Sequence, residues 1–240
     1  MRKIRKETLL KHGVREEEAD MVLDISKRFS LPLKLVNDFD DDEVRRQYEK
    51  EFYYFSIHNA HISQLEAELD EYFPSLPKSM EKLSHLKTLY LHIFDTKNRL
   101  PSFQLNMENL GWLKLLLFGN AKIPHHFATF PDLDILQIEN RNRPSKRKNV
   151  SFENPEKIWE LEDLTTLTVL YIELTDIPES IKKFKSLWRL TLWNNGIIHI
   201  PSSLLELENL KFIDLRRNPL DSESVNILMK LREKGLIVNY

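Results

Sequence analysis

The chain has 240 residues, of which 41% are hydrophobic and 30% charged, with no cysteine and a formal net charge of −2. That balance supplies no global field to gather nucleic acid or a membrane surface, and the missing cysteine excludes a disulfide framework and a cysteine zinc site. No apolar run reaches the roughly 18 residues that span a bilayer, and the basic start, Met1 to Lys11, lacks the continuous apolar core of a signal peptide, so the expected location is cytoplasmic.

Residues 1–45 open with Arg2, Lys3, Arg5 and Lys6 and continue into an acidic segment in which Val14, Met21, Val22, Ile25 and Phe29 share one helical face. The acidic run Asp38, Asp40, Asp41, Asp42, Glu43 lacks the alternating ligands and central glycine of a calcium loop and reads as a solvated turn with a helix N-cap. From Glu51 the pattern becomes that of strands. Phe52, Phe55 and Ile57 are separated by His58, Asn59 and Ala60 from His61, Ile62 and Leu65, which predicts two strands joined by a tight turn.

A repeat then takes over. Its first apolar positions are Ile62, Leu86, Leu110, Leu133, Leu164, Leu187 and Leu210, spaced by 24, 24, 23, 31, 23 and 23 residues. Three residues after each comes Leu65, Leu89, Leu113, Leu136, Leu167, Leu190 or Ile213, and two further on Ala67, Leu91, Leu115, Ile138, Val169, Leu192 or Leu215. A separation of two is the period of a strand with alternate side chains buried. A proline (Pro77, Pro101, Pro124, Pro155, Pro178, Pro201) lies nine residues before every first position but the earliest. A fixed period of this length predicts a solenoid, in which each unit buries its apolar face against its neighbours.

These positions resemble the leucine-rich repeat of the 23-residue kind, L-x-x-L-x-L-x-x-N-x-L-x-x-I/L-P, over residues 62 to about 220. The resemblance implies an α/β solenoid: a horseshoe with a parallel sheet on its concave side and short helices or turns outside. The expected divisions are an N-terminal helical cap region at 1–51, a solenoid of seven units at 52–220 and a C-terminal cap at 221–240. The family's asparagine is matched only by Asn195 and Asn218; Phe94, Phe118, Arg141, Ile172 and Asp70 stand elsewhere, so less regular middle units are expected. The 31-residue unit carries eight extra residues (31 − 23) within 141–155, where Arg and Lys make up five of the eight residues 141–148. It predicts an exposed basic loop.

After Asn218, Asp221 or Ser222 is placed to cap a helix with Val225, Ile227, Leu228 and Leu231 inward, Gly235 to end it, and Leu236 to Tyr240 to form a last strand. No glycine-rich phosphate loop, nucleophile elbow or H-E-x-x-H is present, and adjacent His125 and His126 point apart on a regular element. The reading is therefore of a non-enzymatic protein, with no catalytic, cofactor-binding or metal-ligating residue assigned. Binding falls instead to the side chains between the leucines: Tyr90, His92, Trp112, Lys114, Tyr171, Trp188, Arg189, Trp193, Phe212, Arg216 and Arg217. Trp, Tyr and Arg dominate interface energetics. The expectation is a scaffold holding another protein on the concave face; repeats resembling this one occur in intracellular proteins that engage small GTPases or phosphatases, and in secreted or surface modules that bind ligand or host. Membrane and nucleic acid are not expected partners.

Overall fold

The computed structural model describes residues 5–27, 33–35, 53–69, 72, 75–76, 78–95, 107–123, 130–142, 151–152 and 155–240. Two helices come first, α1 (Lys6–Lys11) and α2 (Glu16–Ser26). A ten-stranded sheet follows: β1 (Leu33–Leu35), β2 (Tyr53–His58), β3 (His61–Leu69), β4 (Thr88–Ile93), β5 (Trp112–Leu117), β7 (Ile135–Asn140), β9 (Thr166–Leu170), β10 (Arg189–Thr191), β11 (Phe212–Asp214) and β12 (Ile237–Asn239). All neighbours in it are parallel except β2 and β3. Two further short strands, β6 (Lys122–Ile123) and β8 (Ser151–Phe152), pair with each other outside this sheet. The acidic run 38–43, Phe29, Phe52, His125, His126, Pro77, Pro101, Pro124 and residues 143–150 of the basic insertion lie outside the described residues.

The antiparallel pair has a local cause. Asn59 and Ala60 both take left-handed backbone angles, with φ of 49° and 66°, which closes a two-residue turn whose twist matches that of the flanking strands. α2 buries Met21, Val22 and Ile25 as its 3.6-residue spacing requires, and Leu9 of α1 joins them in one continuous core that runs through the solenoid to Val238.

The repeat builds the spine of that core. Leu65, Leu89, Leu113, Leu136, Leu167, Leu190 and Ile213 pair in register from strand to strand, and none of them is exposed. Parallel strands need a crossover. It is made by short 3-10 turns, Lys78–Lys82, Pro155–Glu160, Glu179–Lys183 and Ser202–Glu206, which bury Met80, Ile158, Ile181 and Leu204 behind the leucines. Burying one leucine contributes roughly 1.5–3 kcal/mol, so the seven stacked positions together are comparable to a typical net stability of about 5–15 kcal/mol before chain entropy is set against them.

The middle units depart from the expectation of irregularity. β4, β5 and β7 each run six residues and carry the chain, still extended, through Ile93, Leu117 and Asn140, all buried. The corresponding residues of the last three units, Tyr171, Asn194 and Arg217, turn left-handed with φ of 61°, 54° and 61°, and β10 and β11 stop after three residues. That early turn strands backbone groups, and the asparagines satisfy them. Asn195 accepts from the Ile172 N–H at 3.0 Å and donates to the carbonyls of Val169 and Leu192, while Asn218 accepts from the N–H groups of Asn195 and Ile197 and donates to Leu192 and Leu215. Where the strand continues, Phe94 and Phe118 occupy the asparagine position and stack at 4.9 Å. The units of β4, β5 and β7 are not defective copies; they keep the ladder running further, while the β9 unit turns at Tyr171 and takes its bond from Asn195 of the next unit.

At the far end the Asp221 side chain accepts from the Ser224 N–H and caps α3 (Ser222–Glu233), which buries Ile227, Leu228 and Leu231. Gly235, with φ of 91°, releases the chain into β12, which pairs with β11.

Candidate binding surface

Alternation along each strand puts the residues between the leucines on the sheet face opposite the spine. The register aligns them in rows across the units. One row reads Thr88, Trp112, Ile135, Thr166, Arg189, Phe212, Ile237, and the next reads Glu66, Tyr90, Lys114, Gln137, Thr168, Thr191, Asp214, Asn239. A 23- or 24-residue period thus coincides with a one-strand step, leucines on one face, asparagines closing the turns. The chain has the leucine-rich-repeat fold.

No family model matches this leucine-rich-repeat chain. Over 128 residues, 53% of its length, it is 27% identical to the volume-regulated anion channel subunit LRRC8A of Homo sapiens, and equally to those of Rattus norvegicus and Mus musculus. It spans 15% of the length of these relatives. Among solved structures, a leucine-rich-repeat protein of Leptospira interrogans is 25% identical, with a TM-score of 0.47 over 70% of this chain and 46% of that one. An internalin of Listeria monocytogenes is 18% identical (TM-score 0.35, 69% and 64% covered), and the ectodomain of the receptor kinase SOBIR1 of Arabidopsis thaliana 16% (TM-score 0.37, 78% and 97%).

The face is not uniform. In its first half Tyr90 is fully buried and Lys114 only 8% exposed, which corrects their assignment as contact residues: neither offers area to a partner. The side chains there pack on one another. Tyr90 meets Trp112 edge-on at 5.3 Å, Lys114 Nζ sits 5.3 Å from the Tyr90 ring, and His92 both pairs with Glu66 and stacks on Phe118. Trp112 and His92 are half-buried.

The second half is open. Trp188 is 47% exposed, Arg216 and Arg217 are exposed, and Tyr171, Arg189, Trp193 and Phe212 are half-buried. Arg216 is committed within the chain, since its guanidinium holds the buried Asp214 carboxylate through Nε and a 2.6 Å contact, and that bond raises its pKa further. Arg189 and Arg217 are different. The Arg189 guanidinium lies 4.1 Å from the Phe212 ring centre and 5.2 Å from that of Trp188, and Arg217 lies 5.3 Å from Trp193, itself packed on Tyr171 at 4.9 Å. Among the described residues neither arginine has an ion-pairing carboxylate. Stacking fixes a guanidinium's plane while leaving its donor edge for an acceptor.

Sequence reading missed a cluster near the other end. Glu18 of α2, His61 at the start of β3 and His85 before β4 place three metal-capable atoms within 4.8 Å of one another. A signal was present: His61 and His85 both directly precede a repeat-opening residue, Ile62 and Leu86, so the solenoid stacks them. Glu18 is brought in only by tertiary packing. No helix among the described residues is long and apolar enough to cross a membrane.

Proposed function

We propose that this protein is a non-enzymatic, cytoplasmic interaction module that holds an acidic segment of another protein on the open sheet face of its last three units. The observation that carries the reading is the pair of guanidiniums, Arg189 and Arg217, oriented by aromatic rings and with no ion-pairing carboxylate among the described residues. Planar donors of this kind match a carboxylate bidentately, and flanking Trp188, Trp193 and Phe212 supply the apolar area in which hot spots form. Folded repeat proteins present such extended faces without further chemistry, and function here is argued from the residues on the face.

Affinity capture followed by a binding measurement on the captured protein tests this. Arg189→Ala and Trp193→Ala are each expected to fold normally and to weaken binding by about 2 kcal/mol, roughly 30-fold, with wild-type affinity falling as salt rises. Unchanged affinity in both variants would remove the face from consideration, and cell fractionation tests the compartment.

A further inference from the structure

The cluster at the N-terminal end consists of two imidazoles and one carboxylate drawn from three chain segments. Glu18 and His61 are 5% and 7% exposed, while His85 is at the surface. Glu18 is fixed at both oxygens: the Ile62 N–H donates to Oε2 at 2.8 Å, and His61 Nδ1 lies 2.8 Å from Oε1. His85 stacks on His61 with ring centres 3.5 Å apart, and its Nδ1 sits 3.1 Å from the Ser84 hydroxyl.

We propose that Glu18, His61 and His85 form a binding site for a borderline divalent cation of the zinc class. Imidazole donors select zinc and its transition-metal neighbours, while calcium and magnesium require all-oxygen sets. Ligands about 2.0–2.1 Å from a tetrahedral ion stand roughly 3.4 Å apart, so the Glu18–His61 pair needs to open by about half an ångström. The other partners are arranged as supports: one Glu18 oxygen is anchored on a backbone N–H, and the Ser84 hydroxyl is placed to hold one His85 nitrogen while the other ligates. Two parallel stacked rings cannot both aim a lone pair at one ion. His85 is exposed, so its ring turns out of the stack as the ion enters. The fourth position is reached from an open cleft of about 570 Å³ that His85 lines with Ser56, His58, Asn59 and Lys87. A water or a partner's side chain fills it.

Bound there, the ion ties α2 to the first two repeat units, adding to the hydrogen bonds and the apolar packing that already join them. The site stands apart from Arg189 and Trp193, so its fate and that of the proposed binding face are decided by different variants.

Zinc titration of the full chain by calorimetry, with cobalt(II) absorption as a geometric readout, tests the site. Wild type is expected to bind one ion, to show tetrahedral cobalt absorption and to melt several degrees higher with zinc. His85→Ala, at an exposed position, is expected to leave the metal-free melting temperature unchanged while weakening zinc at least about 10-fold and abolishing the shift. His61→Asn should weaken zinc and abolish the shift likewise, from a lower metal-free melting temperature because the buried Glu18 loses its partner, and His199→Ala, a histidine paired at the opposite end of the solenoid, should bind like wild type. Zinc affinity and melting shift that survive His85→Ala and His61→Asn together would mean scattered surface binding and overturn the proposal, as would absence of a one-to-one complex in wild type.

Discussion

The first four units and the last three solve one problem in two ways. Both must end a strand and turn the chain without leaving buried backbone groups unpaired. In β4, β5 and β7 the strand runs on; Ile93 and Leu117 enter the core, Phe94 stacks on Phe118, and in β7 the buried Asn140 donates to the Tyr171 carbonyl. In the last two units the strand stops at three residues and a side-chain amide takes over, Asn195 and Asn218 each bridging to the unit before. The open face divides along the same line. Tyr90, Lys114, Glu66 and Glu68 are buried in the first half, whereas Trp188, Arg216 and Arg217 reach solvent in the second. A regular period therefore fixes the spine and leaves each unit free in how it turns and what it displays.

The largest effect tests what the two halves share. Leu192 is fully buried in the spine, so Leu192→Asp puts a charge into a dry layer and should cost several kcal/mol, comparable to total stability; chemical denaturation or loss of the folded fraction reads it. The two turn solutions separate next. Asn195→Ala orphans the Ile172 N–H and the Val169 carbonyl, at about 3 kcal/mol in all, while the Leu192 carbonyl keeps its bond from Asn218. Phe118→Ala removes a half-buried ring and its stack, at about 2 kcal/mol, and orphans no backbone group because the ladder N–H of Phe118 still reaches the Ile93 carbonyl at 2.8 Å. If Asn195→Ala proved the milder of the two, the amide bridges would not be what holds the short units.

The spine was legible because burial of leucine every two dozen residues leaves a trace in the chain itself. The two-residue turn at Asn59 and Ala60, the cap at Asp221 and the strand beside β11 were legible for a similar reason: each is dictated by neighbours in sequence. The length of β4, β5 and β7 was not, since a missing asparagine does not say what replaces the turn. Nor was the burial of Tyr90 and Lys114, because alternation names the face a side chain occupies and says nothing of what covers that face. The withdrawal of Arg216 by Asp214 was readable in principle, the two lying two residues apart where the strand ends.

The smallest effects separate the two ends of the molecule by pH. At the C-terminal end the Ser224 side chain and backbone, aided by His199, hold the Asp221 carboxyl below its ordinary pKa. A depressed carboxyl stabilises the fold above the unfolded value, about 3.9, and that contribution disappears as pH falls through the lower folded value. At the N-terminal end, the hydrogen bonds that Lys6 Nζ donates to Asp20 and then to Glu16 raise its pKa. Its contribution is complete below the unfolded value, about 10.4, and disappears as pH rises through the higher folded one. Asp221→Asn keeps a residue that caps helices well and deletes only the charge, so it should flatten the acid limb of the melting profile while leaving the alkaline limb as in wild type. Lys6→Met should do the reverse. Both groups are exposed, so added salt should shrink both differences together. An acid limb that stays steep in Asp221→Asn would move the acid-sensitive carboxylate to another part of the chain.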